Sequence, residues 1–216
     1  MAGFLLILSL FIAPLGLSQE KVETIVNKLP ERPWAVVEFV RGKVLFNGAK
    51  VLKGEKLRVD GSLEVSKRSF VKVKINGWDN TIVLGPRSAM ELKLSAQKTG
   101  DISPAKYSLV KGACRWVRKK IEGQVEKGLG AVHTPNAAMG VRGTDFYLKV
   151  NPLLGETEII VFDGEVEFTN ELEVTDKKSL TSGQWGGVGG RYGQKIGEIL
   201  NLSKAVLDKF GKKLNI

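Results

Sequence analysis

From Trp34 to Gly85 the chain alternates apolar and polar residues with a period of two. It does so in the segments WAVVEFVRGKVLF, AKVLKGEKLRV, SLEVSKRSFVKVKI and NTIVLG. A period of two is that of a strand with one buried and one wet face, so Val71, Val73 and Ile75 point inward and Lys72 and Lys74 outward. The segments are separated by Asn47-Gly48, Asp60-Gly61 and Asn76-Gly77, and a fourth such dipeptide, Asp163-Gly164, joins ETEIIVF to EVEF. These dipeptides accept positive φ at little cost and favour tight hairpin turns. The pattern predicts an all-β body, either a compact two-layer sandwich or a short solenoid-like stack of hairpins. No strict internal repeat is visible.

Outside this body the periodicity changes. Residues 1–18 hold an apolar run, Phe4 to Leu17, closed by Gly16 and Ser18 in a small-x-small arrangement, and read as a secretory signal peptide. The run is too short for an ordinary membrane-spanning helix, so no transmembrane helix is expected in the mature chain. Residues 19–33 are a charged lead-in, 34–189 the β domain and 190–216 a C-terminal tail. In the tail, QKIGEILNLSKAVLDKFGKKL spaces Ile196, Ile199, Leu200, Val206, Leu207 and Phe210 as one amphipathic helix. Packing of this helix on the β body and docking on a membrane surface or partner both fit the pattern. The stretch SAQKTGDISPAKY reads as a loop. QWGGVGGRYG reads as punctuation after the last strand, and its glycines do not follow a nucleotide-binding fingerprint.

Charge narrows the partners. Lys and Arg number 33 against 23 Asp and Glu, a formal net charge of +10 over 216 residues, and none of it lies in the first 18. An exported protein this basic associates with anionic glycan, lipid headgroups or an acidic protein, and the compartment argues against nucleic acid. Chemistry is sparse. Cys114 is the one cysteine, which leaves no intramolecular disulfide and reads as a buried small apolar residue. His133 is the one histidine and reads as a strand-end residue bonded to backbone. No metal, nucleotide or serine-hydrolase motif is present, so no cofactor and no catalytic residue is assigned and a non-enzyme is expected.

Two segments carry candidate contacts. RWVRKK places Arg115, Arg118, Lys119 and Lys120 around Trp116, a possible anion patch that is not a clean basic stripe. TPNAAMGVRGTDFYL sets Arg142 and Asp145 inside an apolar run. With Gly143 and Thr144 they form a turn lock, in which Asp145 accepts bonds from turn amides or pairs with Arg142, or else a contact for a partner.

The ordered set VRGKVLF, LVKGACRWV, HTPNAAMGVRGTDFYLKV and TEIIVFDGEVEF with SLTSGQWGGV resembles the FecR domain, the extracytoplasmic β-rich domain of iron-dicitrate-type signal regulators. The resemblance covers roughly residues 34–189, and Arg-Gly-Thr-Asp-Phe is its most specific part. It implies a strand, a sharp turn at Gly143 and a returning strand from Phe146. It also implies a free-standing sensing or binding module in a Gram-negative periplasm or cell surface that acts in signal transduction by binding an envelope protein. Anionic glycan or lipid is the alternative ligand.

Overall fold

The computed structural model describes residues 35–57, 60–75, 80–93, 106–118, 131–212 and 214. The expected signal peptide, lead-in and Asn76-Gly77 turn and the side chains of Lys119, Lys120 and Arg142 lie outside what it describes.

Alternation does produce strands. In chain order they are β1 Ala35–Arg41, β2 Val44–Phe46, β3 Ala49–Lys50, β4 Lys56–Leu57, β5 Gly61–Val65, β6 Phe70–Ile75, β7 Asn80–Leu84 and β8 Ala89–Lys93. The longer β9 Lys106–Arg118, β11 Ala137–Asn151 and β12 Glu156–Asn170 follow, with β10 Ala131–His133 between the first two. β13 Lys177–Thr181, β14 Gln184–Val188, β15 Leu200–Asn201 and one helix, α1 Lys204–Gly211, complete the described chain.

All fifteen strands belong to one hydrogen-bonded sheet that folds over itself into two layers. One layer runs β4-β1-β6-β7-β9-β11-β12-β14-β15, the other β3-β2-β5-β8-β9-β10-β11-β12-β13, so β9, β11 and β12 are shared. Pairing is antiparallel except between β9 and β10. The inward side chains of both layers form a single apolar core. Near its centre Tyr107 meets Trp116 edge-on at 5.0 Å and Trp116 stacks on Phe146 at 6.4 Å.

Glycines let the shared strands change layer. Gly112 (φ 86) divides β9: Lys111 pairs with Ala89 in one layer and Gly112 with Val150 in the other. The β1–β2 junction turns at Gly42 (φ 77). In β11 and β12 the register shifts between Arg142 and Asp145, where Gly143 (φ 55) lies against Gly164 (φ 85). Left-handed backbone suits glycine, and a Cβ on Gly164 would sit 2.5 Å from the Gly143 carbonyl oxygen.

Several expected turns are therefore corrected. Asn47 (φ 50) and Gly48 (φ 82) do close the β2–β3 hairpin. Asp163-Gly164 is no hairpin turn but a bulge inside continuous β12, and the sharp turn and return expected at Gly143 is the matching bulge in β11. Asp60-Gly61 does not join paired strands. Gly61 instead opens β5, where the Asn47 side chain leaves no room for a Cβ. QWGGV is itself strand β14 rather than punctuation.

The predicted long tail helix is also shortened. Residues 195–203 are not helical because other groups take their backbone donors: Ile196 N–H goes to Asp176 Oδ2 (2.8 Å), Gly197 N–H to Gly187 O and Leu202 N–H to Gly183 O (both 2.9 Å). Ile196 enters the main core. Helix α1 begins after Ser203, and Leu207 and Phe210 join Leu214 in a second cluster on the outer face of the sheet, against Val83, Tyr147 and Ile160. Strands carrying NTIVL, FYL and EIIVF are apolar on both faces for this reason. Among the described residues no helix is long and apolar enough to cross a membrane.

Candidate interaction edge

Folding the sheet gives the molecule two edges where strands turn, and the candidate residues divide between them. At the Gly143–Gly164 edge, Asp145 is engaged by Arg115. Arg115 Nε donates to Asp145 Oδ1 at 2.9 Å and its terminal nitrogen to Oδ2 at 2.7 Å. The remaining donor face of Arg115 reaches the Gly211 carbonyl at the end of α1 (2.7 Å), and the guanidinium lies 4.9 Å from the centre of the Phe162 ring. A bidentate, stacked guanidinium of this kind is a structural clamp. It removes Arg115 from the proposed anion patch. Thr144 is buried, and its hydroxyl makes no hydrogen bond among the described residues. Its methyl faces Gly164. Of Arg142 the backbone register alone is described, opposite Glu165. Arg118 ends β9 half-buried and has contacts of its own, and Lys119 and Lys120 lie outside the described residues.

The start of the TPNAA motif serves a second structural purpose. Thr134, Asn136 and Thr157 form a buried polar knot: Thr157 Oγ1 lies 2.9 Å from Thr134 Oγ1 and 2.5 Å from Asn136 Oδ1. Asn136 Nδ2 donates to Gly155 O (2.7 Å), while its carbonyl accepts from Glu171 N–H (3.0 Å). One side chain and its backbone thus bring the β11–β12 hairpin tip and the turn after β12 to the same edge. That edge bears Leu153, 95% exposed, with Leu154 (59%), Leu172 (80%) and Val174 (69%). These four are among the large apolar side chains most exposed among the described residues.

The same edge continues into a basic stretch. Val150 pairs with Gly112, which sets Lys111 beside the hairpin tip. Next come two turns of equivalent construction, Ser66-Lys67-Arg68-Ser69 and Gly85-Pro86-Arg87-Ser88. Each holds an arginine at positive φ, 57° for Arg68 and 60° for Arg87. Each then buries a serine whose hydroxyl accepts a backbone N–H at 2.9 Å, from Lys43 in the first and Ala113 in the second. In both cases the serine stands where a Cβ on a positive-φ glycine, Gly42 or Gly112, would fall 2.3 Å away. The turns are bonded to each other through Val65 N–H to Ser88 O (2.8 Å) and Arg87 N–H to Ser66 O (3.3 Å). This equivalence escaped the sequence because the two turns share Arg-Ser and little else. The available signal was an Arg-Ser pair before each strand and a Val-(Arg or Lys)-Gly before each partner.

Other chemistry-bearing groups are engaged. His133 Nδ1 lies 2.6 Å from Glu171 Oε1, a side-chain partner rather than the backbone one expected. Cys114 is buried in β9, where desolvation pushes its thiol up to about 12. Arg191 ion-pairs with the buried carboxylates Glu156 and Glu158 and stacks near Trp185 and Tyr192. Among the described residues no group of three or more His, Cys, Asp or Glu side chains is placed to hold a metal ion.

Against known proteins, residues 62–167 match the family model described as FecR protein. The chain carries a FecR domain. The matched stretch starts in β5 and ends in β12, so it includes both arginine turns and the glycine corners at 112, 143 and 164. Two crystal structures of a candidate anti-sigma factor from Parabacteroides distasonis share the fold at 16% identity. Their TM-scores are 0.53 and 0.51, covering 71% and 70% of this chain. The chain covers 65% and 64% of those chains, just under two thirds of their length. No curated protein matches in sequence.

Proposed function

We propose that this FecR domain works by occupancy rather than turnover, as a non-enzymatic regulatory module of the bacterial envelope, exported to the periplasm or cell surface, that binds another envelope protein. The observation that carries the reading is the edge at which Asn136 gathers Leu153, Leu154, Leu172 and Val174 in solvent. Burying one such leucine against a partner contributes about 1.5–3 kcal/mol, so a few of them suffice as the centre of an interface. The polar interior gives no competing reading, since Thr134, Asn136, Thr157, Arg115 and Asp145 are occupied in holding turns and corners.

The alternative, an anionic glycan or lipid bound through the basic surface, draws support from the +10 charge. The tail helix does not strengthen it, because Leu207 and Phe210 already pack on the sheet. Affinity capture from the producing cell's envelope, at low and high salt, with wild type and with Leu153→Glu/Leu172→Glu, separates the two. A protein partner retained at high salt and lost with the double variant supports the proposal. Recovery of glycan or lipid alone, released by salt, overturns it.

A further inference from the structure

The basic half of the edge carries charges that the fold does not use. Arg41, Lys67, Arg68, Arg87 and Lys111 are all exposed, and none has an acidic partner among the described residues. They line two adjoining open hollows, of about 490 Å³ and 920 Å³, which share Lys67 and Arg87. The lining is five cations to one carboxylate, Glu64, over an apolar floor that includes Phe70 and Pro86. Arg41 lies 5.9 Å from the centre of the Phe70 ring. Arg68 and Arg87 are held at a backbone angle that L side chains resist, and the buried serines Ser69 and Ser88 fix both turns. Glycine would meet the geometry with no steric cost. A positively charged side chain kept twice at the same costly position indicates that the charge itself has a use.

We infer that this cleft binds an acidic, extended segment of the protein partner, with carboxylates on Arg68 and Arg87 and its aliphatic parts over Phe70 and Pro86. The inference rests on the protein-binding reading above and assigns it a second contact, continuous with the apolar tips through Lys111. A concave, partly apolar lining fits a peptide chain better than a flat lipid surface. Among the lining residues no Trp or Tyr offers the platform on which a sugar ring stacks.

The test uses fluorescein-labelled twelve-residue oligo-glutamate, read by anisotropy at low and physiological salt. Oligo-glutamine and phosphatidylglycerol vesicles are the controls. Oligo-glutamate should bind wild type and weaken as salt rises, because exposed charges are screened. It should bind Arg68→Gly/Arg87→Gly at least tenfold more weakly, although that variant melts no lower than wild type. Arg41→Gln/Lys111→Gln, at ordinary backbone angles, should weaken binding in the same direction. Equal affinity of wild type and both variants overturns the inference, as does binding to the vesicles with none to oligo-glutamate. If the captured partner is lost with Leu153→Glu/Leu172→Glu but kept by both basic-edge variants, protein binding stands and the acidic-segment inference falls.

Discussion

The two turning edges of the folded sheet use arginine in opposite ways. At the Gly143–Gly164 edge, Arg115 is bonded to both oxygens of Asp145, stacked on Phe162 and tied to the end of α1. At the other, Arg68 and Arg87 stand in solvent, without an acidic partner among the described residues, on backbone that glycine would occupy more easily. One edge has its charge consumed by the fold, whereas the other tolerates strain to display it. A net charge of +10 therefore says little about which cations are free to bind, and the pairing geometry says much more.

The locked edge should give the larger effects. Removing residues 204–216 uncovers Val83, Tyr147 and Ile160 and deprives Arg115 of the Gly211 carbonyl. At about 1.5–3 kcal/mol per buried side chain, the expected loss is roughly 4–6 kcal/mol in urea unfolding, with new binding of a hydrophobic dye. Gly164→Ala should cost about 3 kcal/mol, since its Cβ meets the Gly143 carbonyl oxygen at 2.5 Å on left-handed backbone. Arg115→Ala removes the two-pronged partner of a largely buried Asp145 and should cost about 2 kcal/mol by the same measurement; Arg115→Lys should recover only part, because the two-pronged geometry is lost.

On the open side the sign reverses. Arg68→Gly and Arg87→Gly should each leave stability unchanged or raise it by up to about 1 kcal/mol, since they relieve a left-handed residue and break no ion pair. The smallest effect is a pH dependence. The Asn170 amide, then burial acting in the opposite sense, then the Ile196 N–H and nearby lysines set the Asp176 carboxyl, with the net result below its ordinary value. A depressed carboxylate stabilises the fold above its unfolded value and loses that contribution as pH falls through the folded one. Asp176 should therefore titrate below an unfolded-chain aspartate by NMR, and Asp176→Asn should flatten the acid side of the stability profile.

Much of this architecture is readable from local pattern. Alternation up to Gly85 locates β1 to β7, Asn47-Gly48 marks a true hairpin, and the Arg-Gly-Thr-Asp-Phe run identifies the family. The same Asp-Gly signal at 163–164 misleads because a bulge and a hairpin turn both need positive φ. What distinguishes them is whether partners continue on both sides, which is a long-range property. Asp145 has Arg142 as its nearest candidate in sequence, yet Arg115 reaches it from thirty residues away, brought opposite by the β9–β11 pairing of Asp145 with Val117. The tail reads as a helix because its apolar spacing fits one. Sheet carbonyls and Asp176 take the donors of residues 196, 197 and 202 instead.

Site-specific photo-crosslinking in the producing cell tests the central claim most directly, with a photoreactive residue placed at Leu153, at Arg87 or, on the opposite edge, at Ser182. Positions 153 and 87 should capture the same protein, and 182 should capture none. Capture at 182 with none at 153 or 87 would contradict that claim.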